Sequence, residues 1–490
     1  MSFGKMPLAN GFLRKEDFGK EFFFNLEVGF SEELSLFQLN EFPNPAKMFN
    51  ENYPFFSGSS EHMKKHFINY FNWIKKNYLN NKAKVIEIGS NDGTMLQNFK
   101  NEGFNYIGFE PSMSVAKKAK ENNINTLVEF FCYKNVSLLS KFKHNTDVIC
   151  AANVICHIPD LIDLIKSVDL MLASKGVLIF EEPYLGSMFD KISYDQIYDE
   201  HIYMFSVSSV QKIFSRFDME LIEAHPQETH GGSMRYVVAR KNQRDINDNL
   251  KNIIQYEKKE GIDNLSSCLK FKKNCELSKK KIVDLLNKYK NQNKKICGYA
   301  ATSKSTTVLN YCQIGSNFID CIYDTTKEKI GKFSPGMHIP ITSAKNFKIE
   351  KPEVAYLFAW NHKEEIFEKT FSEIEEAIKG KKDTTKYNFK ENKNLGKGRL
   401  VLAVVKDHVE NNPGISFEEL LLVFPSELRS VYGVFARAEE IEEKHHVRYF
   451  MKYADRIALS DATVVVCNQW GIGNIGPFLE VCKKLELEIN

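Results

Sequence analysis

The side chains best suited to proton transfer lie together in residues 194–206, which read YDQIYDEHIYMFS. Within this segment His201 follows Glu200 directly, and Tyr198 lies close before them. A histidine beside a carboxylate supplies a base with a pKa near neutrality, and a phenol can donate a hydrogen bond to a developing oxyanion. These are the two requirements for removing a proton from a carbon next to a ketone. A solvated surface loop would have a similar composition, so the segment alone leaves both interpretations open.

A second group of polar residues follows a short apolar run. Residues 85–88 read VIEI and lead into a glycine-bounded loop at 89–93, and the run YIGF at 106–109 ends on Glu110. Short apolar runs are typical of buried parallel strands, and glycine in the following turn lets backbone amides approach a ligand. An acid at the end of the second strand can accept hydrogen bonds from both hydroxyls of a ribose. An ordinary strand-turn-helix with incidental glycines is the alternative.

The acids of this loop favour one kind of cofactor. Glu87 and Asp92 make its rim negative, which repels a pyrophosphate and suits a cationic ligand that carries an amine. We therefore predict S-adenosylmethionine rather than NAD. The residues predicted to hold it are Glu87, Gly89, Asn91, Asp92, Glu110 and Asn153. Asn153, which follows a predicted strand, is expected to face the methyl donor or the substrate.

Two further loops have features of ligand sites. A glycine pair at 231–232 lies between His230 and Ser233 ahead of a predicted strand, although a plain β-turn would look the same. A second strand-turn-helix unit begins near residue 295, and its turn combines hydroxyl side chains with Lys304. Backbone amides at a helix N-terminus, hydroxyls and a lysine suit the diphosphate of a nucleotide-linked substrate. A helix capped by Ser and Thr is the alternative.

The elements that must position these residues alternate between strands and helices. Strands are predicted at 84–88, 106–110, 147–152, 177–182, 219–224 and 234–239. This alternation predicts an α/β fold with a parallel, doubly wound sheet, whose ligand crevice lies beyond the carboxyl ends of the strands. Most of the candidate residues fall at or near such ends.

The 490-residue chain is long enough for several domains, and its net charge of +3 demands no acidic polymer as partner. The ten cysteines contain no CxxC pair, and no apolar export segment opens the chain, so we expect a cytoplasmic protein. We expect no membrane contact. The predicted domains are 1–80 (small, irregular), 81–245 (cofactor-binding), 246–293 (helical connector), 294–390 (smaller Rossmann-like α/β) and 398–490 (an α+β module).

The last module is predicted to contain helices at 399–410, 416–424 and 431–443, a hairpin within 447–468 and a helix at 476–485. That order fits a winged helix. Acidic residues slightly outnumber basic ones there, whereas a nucleic-acid reader should be basic. We therefore favour a module for oligomerisation or for docking a partner over one that binds nucleic acid.

Taken together, the motifs resemble the sugar C-methyltransferase family. They are the segments 7–10 (PLAN), 87–93 (EIGSNDG), 110–111 (EP), 153–154 (NV), 198–201 (YDEH), 230–233 (HGGS) and 298–301 (GYAA). The resemblance covers residues 1 to about 385 and implies a class I methyltransferase sheet. Members have an N-terminal zinc-binding domain, a central S-adenosylmethionine domain and a C-terminal α/β domain. They act on nucleotide-linked keto-sugars in deoxysugar pathways.

The resemblance implies roles for individual residues. His201 would remove the proton alpha to the ketone, Tyr198 and Glu200 would orient it, and the resulting enolate would be methylated on carbon. The sugar would contact Tyr53, His230, Gly231 and Ser233, and its diphosphate would lie near Tyr299, Ser303 and Lys304. O- or N-methylation of a related sugar, and a non-catalytic scaffold that presents the C-terminal module, are the alternatives.

Two departures from the family pattern are visible in the sequence. Asp199 stands where the family usually has histidine in its YHEH motif, which places an additional acid beside the predicted base. Ser31 and Leu34 stand where a zinc-binding CxxC would fall. We therefore predict no bound metal. The small N-terminal domain must then be held by its own aromatic packing or by contact with its neighbour.

Overall fold

The computed structural model describes residues 1–48, 56–367, 385–429, 433–441, 443–470 and 472–489. The chain divides into two units, Met1–Lys363 and Glu364–Asn490, and each has its own hydrophobic core. Tyr53, a predicted substrate contact, lies outside the described residues. None of the helices in the described ranges combines the length and the apolar composition needed to cross a membrane.

The first strands form a regular antiparallel sheet where the sequence predicts an irregular domain. They are β1 (Ser2–Pro7), β2 (Phe23–Ser31) and β3 (Leu36–Leu39), followed by the short helix α1 (Pro45–Met48). In β2, Phe24, Leu26 and Val28 alternate with more exposed residues, as a sheet with one buried face requires. The rings of Phe3 and Tyr311 lie 4.8 Å apart, so this sheet packs on a later part of the chain.

The central part of the first unit alternates strands and helices. Its elements are α2 (Glu61–Tyr78), β4 (Lys84–Ile88), α3 (Leu96–Asn101), β5 (Asn105–Phe109), α4 (Met113–Glu121), β6 (Thr126–Leu127), α5 (Tyr133–Val136), β7 (Thr146–Ala152), α6 (Leu161–Met171), β8 (Leu172–Pro183), α7 (Leu185–Lys191), β9 (Tyr203–Met204), α8 (Val207–Phe214), β10 (Met219–Gln227) and β11 (Ser233–Arg240). The short β9 joins the N-terminal sheet beside β3. The other strands form one seven-stranded sheet.

The strand order of this sheet is β10-β11-β8-β7-β4-β5-β6. All of the predicted strands are present, which confirms the expected class I methyltransferase sheet. One detail of the prediction is wrong: the sheet is not wholly parallel, because β11 runs antiparallel to both β8 and β10. The close loop between β10 and β11 permits this reversal, since antiparallel neighbours need no crossover helix. β6 was not predicted because two residues give no pattern.

Two helices, α9 (Asp248–Glu260) and α10 (Leu265–Asn291), lead to a second α/β fold. It contains β12 (Ile296–Tyr299), α11 (Ser303–Cys312), β13 (Ile322–Asp324), β14 (Ile341–Ser343), α12 (Ala344–Glu350) and β15 (Val354–Leu357). Its strands are all parallel in the order β14-β13-β12-β15. This order confirms the prediction of a smaller Rossmann-like sheet.

The second unit contains β16 (Tyr387–Phe389), β17 (Asn392–Leu395), α13 (Lys397–Asn411), α14 (Phe417–Val423), β18 (Phe435–Arg437), β19 (Ile457–Ala458), β20 (Thr463–Val466) and α15 (Ile472–Lys484). The prediction of a helix over 431–443 is wrong, because β18 pairs there with β20. Phe435 is buried opposite Val466, and aromatic and β-branched residues favour such pairs. Without that helix, the described residues do not support a winged-helix arrangement.

Candidate active site

The first residue of the loop after β4, Gly89, has a backbone conformation and a close neighbour that only glycine accommodates. Gly89 has a φ of +64°, and a Cβ there would lie 2.4 Å from Cγ2 of Val154. The loop also holds Asn91 with a φ of +49°, a conformation that asparagine tolerates better than most residues. The chain thus turns sharply at the carboxyl end of β4. The fold class places its ligand beside this loop.

Glu110, at the end of β5, is fixed by this loop. Its Oε2 accepts a hydrogen bond from the Asn91 amide at 3.0 Å, and its Oε1 accepts one from the Ser112 amide at 2.8 Å. Burial raises the pKa of Glu110 to about 7, although these two backbone hydrogen bonds oppose the rise. The carboxylate oxygens keep further lone pairs that can accept hydrogen bonds from ribose hydroxyls.

Glu87 is buried beneath the same loop, and its Oε2 has no hydrogen-bond partner among the described residues. Burial raises the pKa of Glu87 well above its usual value, and the nearby carboxylates of Asp92 and Glu110 raise it further. A buried carboxylate with a spare oxygen and acidic neighbours is costly unless a cation or a donor group reaches it. The acid-rich loop therefore fits the cationic, amine-bearing ligand predicted from the sequence.

The side chains of Asn91 and Asp92 also hold the segment that precedes α2. The Ser57 amide donates to Oδ1 of Asn91 at 2.9 Å, and the Gly58 amide donates to Oδ2 of Asp92 at 2.8 Å. The hydroxyl of Thr94 donates to the other oxygen of Asp92 at 2.6 Å. These two predicted cofactor residues thus anchor the chain that lies over the loop. Direct contact between their side chains and the cofactor stays a prediction.

Asn153 lies directly after β7, in a left-handed conformation with a φ of +56°. Its amide donates to the carbonyl of Glu181 at 2.8 Å, whereas its side-chain Oδ1 is buried with no hydrogen-bond partner among the described residues. The neighbouring loop is held by Glu182, whose Oε1 accepts hydrogen bonds from the backbone amides of 154, 155 and 156. Sequence analysis missed Glu182, although two acids at the end of an apolar strand were a usable signal.

The geometry of the predicted base defines its tautomer. Nδ1 of His201 lies 2.7 Å from the carbonyl oxygen of Gln196, and Nε2 lies 2.8 Å from the hydroxyl of Tyr198. A carbonyl can only accept a hydrogen bond, so Nδ1 carries the proton. Nε2 of the neutral ring is then an acceptor that faces the phenol. His201 is buried, at 6% exposure.

The surroundings of His201 keep the ring neutral. Burial lowers the pKa of His201 well below its usual value, and the neighbouring His157, Lys304 and His230 lower it further. The ring of His157 is stacked on that of His201 at a centroid distance of 5.2 Å. Burial also lowers the pKa of His157 to about 4 and that of His230 to about 3. All three histidines are therefore bases, not cations, at neutral pH.

Among the described residues, donor atoms of Cys156, His157 and His201 lie within 4.8 Å of one another, close enough to ligate one metal ion. Both ring nitrogens of His201 already have hydrogen-bond partners, and burial raises the pKa of Cys156 well above its usual value. A protonated thiol is a poor metal ligand. A role of His201 in proton transfer and the absence of a metal both stay predictions.

The acids next to the base bind the N-terminal segment. Oδ1 of Asp199 accepts a hydrogen bond from the Ala9 amide at 3.0 Å, and Oε1 of Glu200 accepts one from Nδ2 of Asn10 at 2.7 Å. The hydroxyl of Thr306, in α11, donates to the carbonyl of Ala9 at 2.8 Å. Asp199, the residue that departs from the family motif, thus binds the N-terminal chain near Ala9 to residues 194–206, the predicted catalytic segment.

The two predicted substrate loops, at 230–233 and 302–304, lie together beside the predicted catalytic segment 194–206. Lys304 is buried, and its Nζ lies 3.5 Å from the carbonyl of His230, which also accepts a hydrogen bond from the side chain of Gln196. The side chain of Ser303 opposes the rise that burial causes in the pKa of Tyr198, the partner of the predicted base. Gly231 allows a close approach of Trp360, since a Cβ there would lie 2.4 Å from its ring. The structure therefore brings four predicted substrate residues together.

Two predicted substrate residues make other contacts. The hydroxyl of Ser233 donates to the carbonyl of Thr229 at 3.0 Å, within its own turn. The ring of Tyr299 packs edge-on against Phe347 of α12 at 5.2 Å. Neither contact places these side chains beside His201. Their binding to the substrate stays a prediction.

Sequence analysis also missed the network beneath the site. The buried Glu181 binds Arg235 through one oxygen, with Nε at 2.7 Å, and His66 through the other at 2.6 Å. The guanidinium of Arg235 lies over the rings of Tyr70 and Trp73. The network joins β8, β11 and α2 under the cofactor loop. Its members are too far apart in the sequence for any local pattern to connect them.

Comparison with known proteins identifies the chain. Residues 61–224 match the family described as "Methyltransferase domain", and residues 228–379 match the "C-methyltransferase C-terminal domain". The chain is 27% identical over 378 residues to C-methyltransferase NovU of Streptomyces niveus, covering 76% of this chain and 90% of that protein. Residues after 379 lie outside both family matches.

Two solved structures resemble the chain over about two fifths of its length. The PH0226 protein of Pyrococcus horikoshii OT3 is 14% identical, with 41% of this chain and 100% of that chain covered and a TM-score of 0.32. The magnesium protoporphyrin IX methyltransferase ChlM of Synechocystis PCC 6803, solved with bound SAM, is 13% identical, with coverages of 36% and 79% and a TM-score of 0.28.

The strand order, the acid-rich loop and the two family matches agree with one another. They leave no support for a non-catalytic scaffold. The cofactor is S-adenosylmethionine, as the sequence predicts. The chain is a methyltransferase, and the two family matches together with the similarity to NovU support a sugar C-methyltransferase family.

Proposed function

We propose that this enzyme methylates a nucleotide-linked keto-sugar on the carbon next to its ketone, through an enolate. One observation carries the proposal. The hydrogen bond from Nδ1 of His201 to the carbonyl of Gln196 directs the basic nitrogen, Nε2, toward the phenol of Tyr198. A neutral imidazole beside a phenol is suited to remove a proton alpha to a carbonyl and to stabilise the oxyanion that forms.

The protein's own groups account for the proton transfer. Once the Tyr198 hydroxyl turns from Nε2 to the substrate oxygen, Nε2 of His201 takes the proton from carbon, and the ring becomes an imidazolium whose Nδ1–H is held by the Gln196 carbonyl. Burial raises the pKa of Tyr198 well above its usual value, so its hydroxyl stays protonated and can donate to the enolate oxygen. S-Adenosylmethionine, when bound, supplies the methyl group.

Lys304 supports the same chemistry. It is buried, and its Nζ lies 5.4 Å from the centre of the Trp360 ring, whose nitrogen in turn donates to Oδ2 of Asp195 at 2.7 Å. A buried ammonium in this position favours negative charge on a nearby enolate oxygen. The amino end of α11, capped by Thr302, is left to face the diphosphate.

Carbon, rather than oxygen or nitrogen, is the acceptor that the contacts favour. The sequence leaves O- and N-methylation open and places Asp199 as an additional acid beside the predicted base. In the structure one oxygen of Asp199 accepts a hydrogen bond from the Ala9 amide. The departure from the family motif therefore has a structural explanation that does not involve the acceptor atom.

Hydrogen exchange at the sugar tests the proposal without methyl transfer. Candidate nucleotide-linked keto-sugars are incubated with the enzyme and S-adenosylhomocysteine in D₂O, and loss of the alpha-proton signal is followed by NMR. The wild type should catalyse exchange, and His201→Asn should slow it about 10²- to 10⁴-fold, the usual effect of removing a general base. Binding of S-adenosylhomocysteine should stay within about twofold, because His201 lies outside the acid-rich loop.

The matched control is His144→Asn. His144 is an exposed histidine with a φ of +51°, a conformation that asparagine also adopts, so this variant should exchange at the wild-type rate. Equal exchange by the wild type and by His201→Asn would exclude His201 as the base. Methyl transfer to a sugar without any exchange would instead support an O- or N-methyltransferase.

A further inference from the structure

The sheet of the second α/β fold contains a pair of cysteines that the proposed methylation does not use. Cys297 lies in β12, and Cys321 directly precedes β13, the neighbouring parallel strand. The Gly298 amide donates to the carbonyl of Cys321 at 2.8 Å, which holds the two backbone segments side by side. The two sulfur atoms lie 3.8 Å apart and share a hydrogen bond, and both cysteines are free thiols.

The two thiols differ in how they can be reached. Cys321 is partly exposed, whereas Cys297 is fully buried directly behind it. Backbones of neighbouring strands run about 4.8 Å apart, which lies within the Cα separation that a disulfide can span. A bond between these sulfurs therefore requires rotation of the side chains but no separation of the strands.

The surroundings divide the roles between the two sulfurs. The hydrogen bond between the two sulfurs lowers the pKa of Cys321 to about 7, and the Tyr323 hydroxyl and the Lys295 ammonium act in the same direction against burial and Glu350. The pKa of Cys297 is raised, chiefly by that same hydrogen bond. At pH 7 about half of the outer sulfur is therefore thiolate, the reactive form, and the inner sulfur keeps its proton.

We propose that Cys321 and Cys297 are an oxidation site at which a hydroperoxide joins the two thiols in a disulfide. The Cys321 thiolate attacks the O–O bond, which gives a sulfenic acid and an alkoxide or hydroxide that takes a proton from water. The Cys297 sulfur then attacks the sulfenic sulfur, and its proton leaves with the hydroxyl group as water. One hydroperoxide is reduced by two electrons, and the thiol pair is oxidised by two.

This site lies apart from the proposed methylation chemistry. A disulfide here would link β12 and β13 near their amino ends, whereas the turn that carries Ser303 and Lys304 leaves β12 at its carboxyl end. The oxidation and the methylation can therefore be tested separately. Failure of either leaves the other standing.

Peptide mapping of the full-length protein tests the proposal. The reduced protein is treated with equimolar hydrogen peroxide at pH 7, capped with N-ethylmaleimide and digested. The expected main product is a disulfide-linked peptide pair containing Cys297 and Cys321. Cys132 is the internal control, because it is also partly exposed but has no sulfur partner among the described residues. Before oxidation, Cys321 should react with iodoacetamide roughly fivefold faster than Cys132.

Two serine variants separate the roles. In Cys297→Ser the sulfenic acid at Cys321 cannot be resolved, so dimedone should trap it, whereas Cys321→Ser should give no trapped adduct at Cys297. Equal reactivity of Cys321 and Cys132, or the absence of both the disulfide and the dimedone adduct, would overturn the proposal. If Cys297→Ser does not fold, the wild-type peptide map decides alone.

Discussion

At the scale of single residues, the site is built from buried acids and bases whose proton affinities are set by position. Glu87, Glu110 and Glu182 all have raised pKa values because they are buried, while His201 has a lowered one for the same reason. Burial penalises the charged form of each group. The acids near the cofactor loop can therefore ionise when a cationic ligand binds, and His201 is neutral before it accepts a proton.

Glu110 makes cofactor binding depend on pH. Its pKa of about 7 means that the carboxylate is mostly protonated at pH 6 and mostly ionised at pH 8. The ionised form attracts a cationic ligand and accepts from ribose hydroxyls, so affinity should fall as the pH falls through 7. We expect the Kd for S-adenosylmethionine, measured by calorimetry, to be up to about tenfold higher at pH 6 than at pH 8.

Glu110→Gln is the control for this prediction. The amide keeps a similar shape and cannot ionise, so its affinity should be lower at pH 8 and should change much less between pH 6 and pH 8. A wild-type Kd that is the same at both values would show that Glu110 does not titrate on binding. Proton release measured in two buffers gives an independent check on the same group.

Residues near one another in the chain were the ones that sequence analysis could find. Gly89 and Glu110 stand at the ends of consecutive strands, and Tyr198 and His201 share one segment. Glu182 was missed although its place at a strand end was a usable signal, whereas the role of Arg235 was missed because its partner Glu181 comes from another strand. Sequence spacing carries no information about such contacts until the sheet order is known.

At the scale of elements, one buried acid joins the connector to the central part of the first unit. Glu257, in α9, accepts hydrogen bonds from the amides of Val207 and Ser208 at the start of α8, and from the hydroxyls of Ser208 and Tyr184. A carboxylate is well placed at a helix N-terminus, where amides lack partners. The helical connector is therefore held to the central part of the first unit through the buried carboxylate of Glu257.

Replacing this acid should destabilise the first unit. Glu257→Ala leaves buried amides and hydroxyls without acceptors, and we expect the free energy of unfolding to fall by about 3 kcal/mol. Glu260→Ala is the matched control, because it removes an exposed acid from the same helix and should change stability by less than about 0.5 kcal/mol. Denaturant unfolding followed by circular dichroism measures both variants, and equal stability of the two would contradict the assignment.

Strands were easier to predict than their direction or the helices of the last module. β4, β7 and β8 are buried apolar runs, and such runs are unmistakable when they recur between helices. The amino-acid composition of β11 does not indicate that it runs antiparallel to its neighbours. The helix expected over 431–443 failed because Phe435 pairs with Val466 across the sheet, and this contact between distant residues overrides local helix propensity.

At the scale of the whole molecule, the contacts that define the proposed site lie within Met1–Lys363. The N-terminal segment, the cofactor-binding sheet and the second α/β fold each contribute to it, through Ala9, His201 and Lys304 respectively. The bounds of the five predicted domains, a cytoplasmic location and a docking or oligomerisation role for the last module stay predictions. The sequence could not show how the segments assemble, because that depends on contacts between them.

The identity of the methylated atom tests the central claim most directly. The full-length enzyme is incubated with S-adenosylmethionine labelled with ¹³C in its methyl group and with the keto-sugar that undergoes exchange, and the product is examined by NMR. We predict an alkyl methyl signal that correlates with the ring carbon whose hydrogen exchanges in D₂O. A labelled methoxyl or N-methyl signal on the sugar would contradict carbon methylation through an enolate.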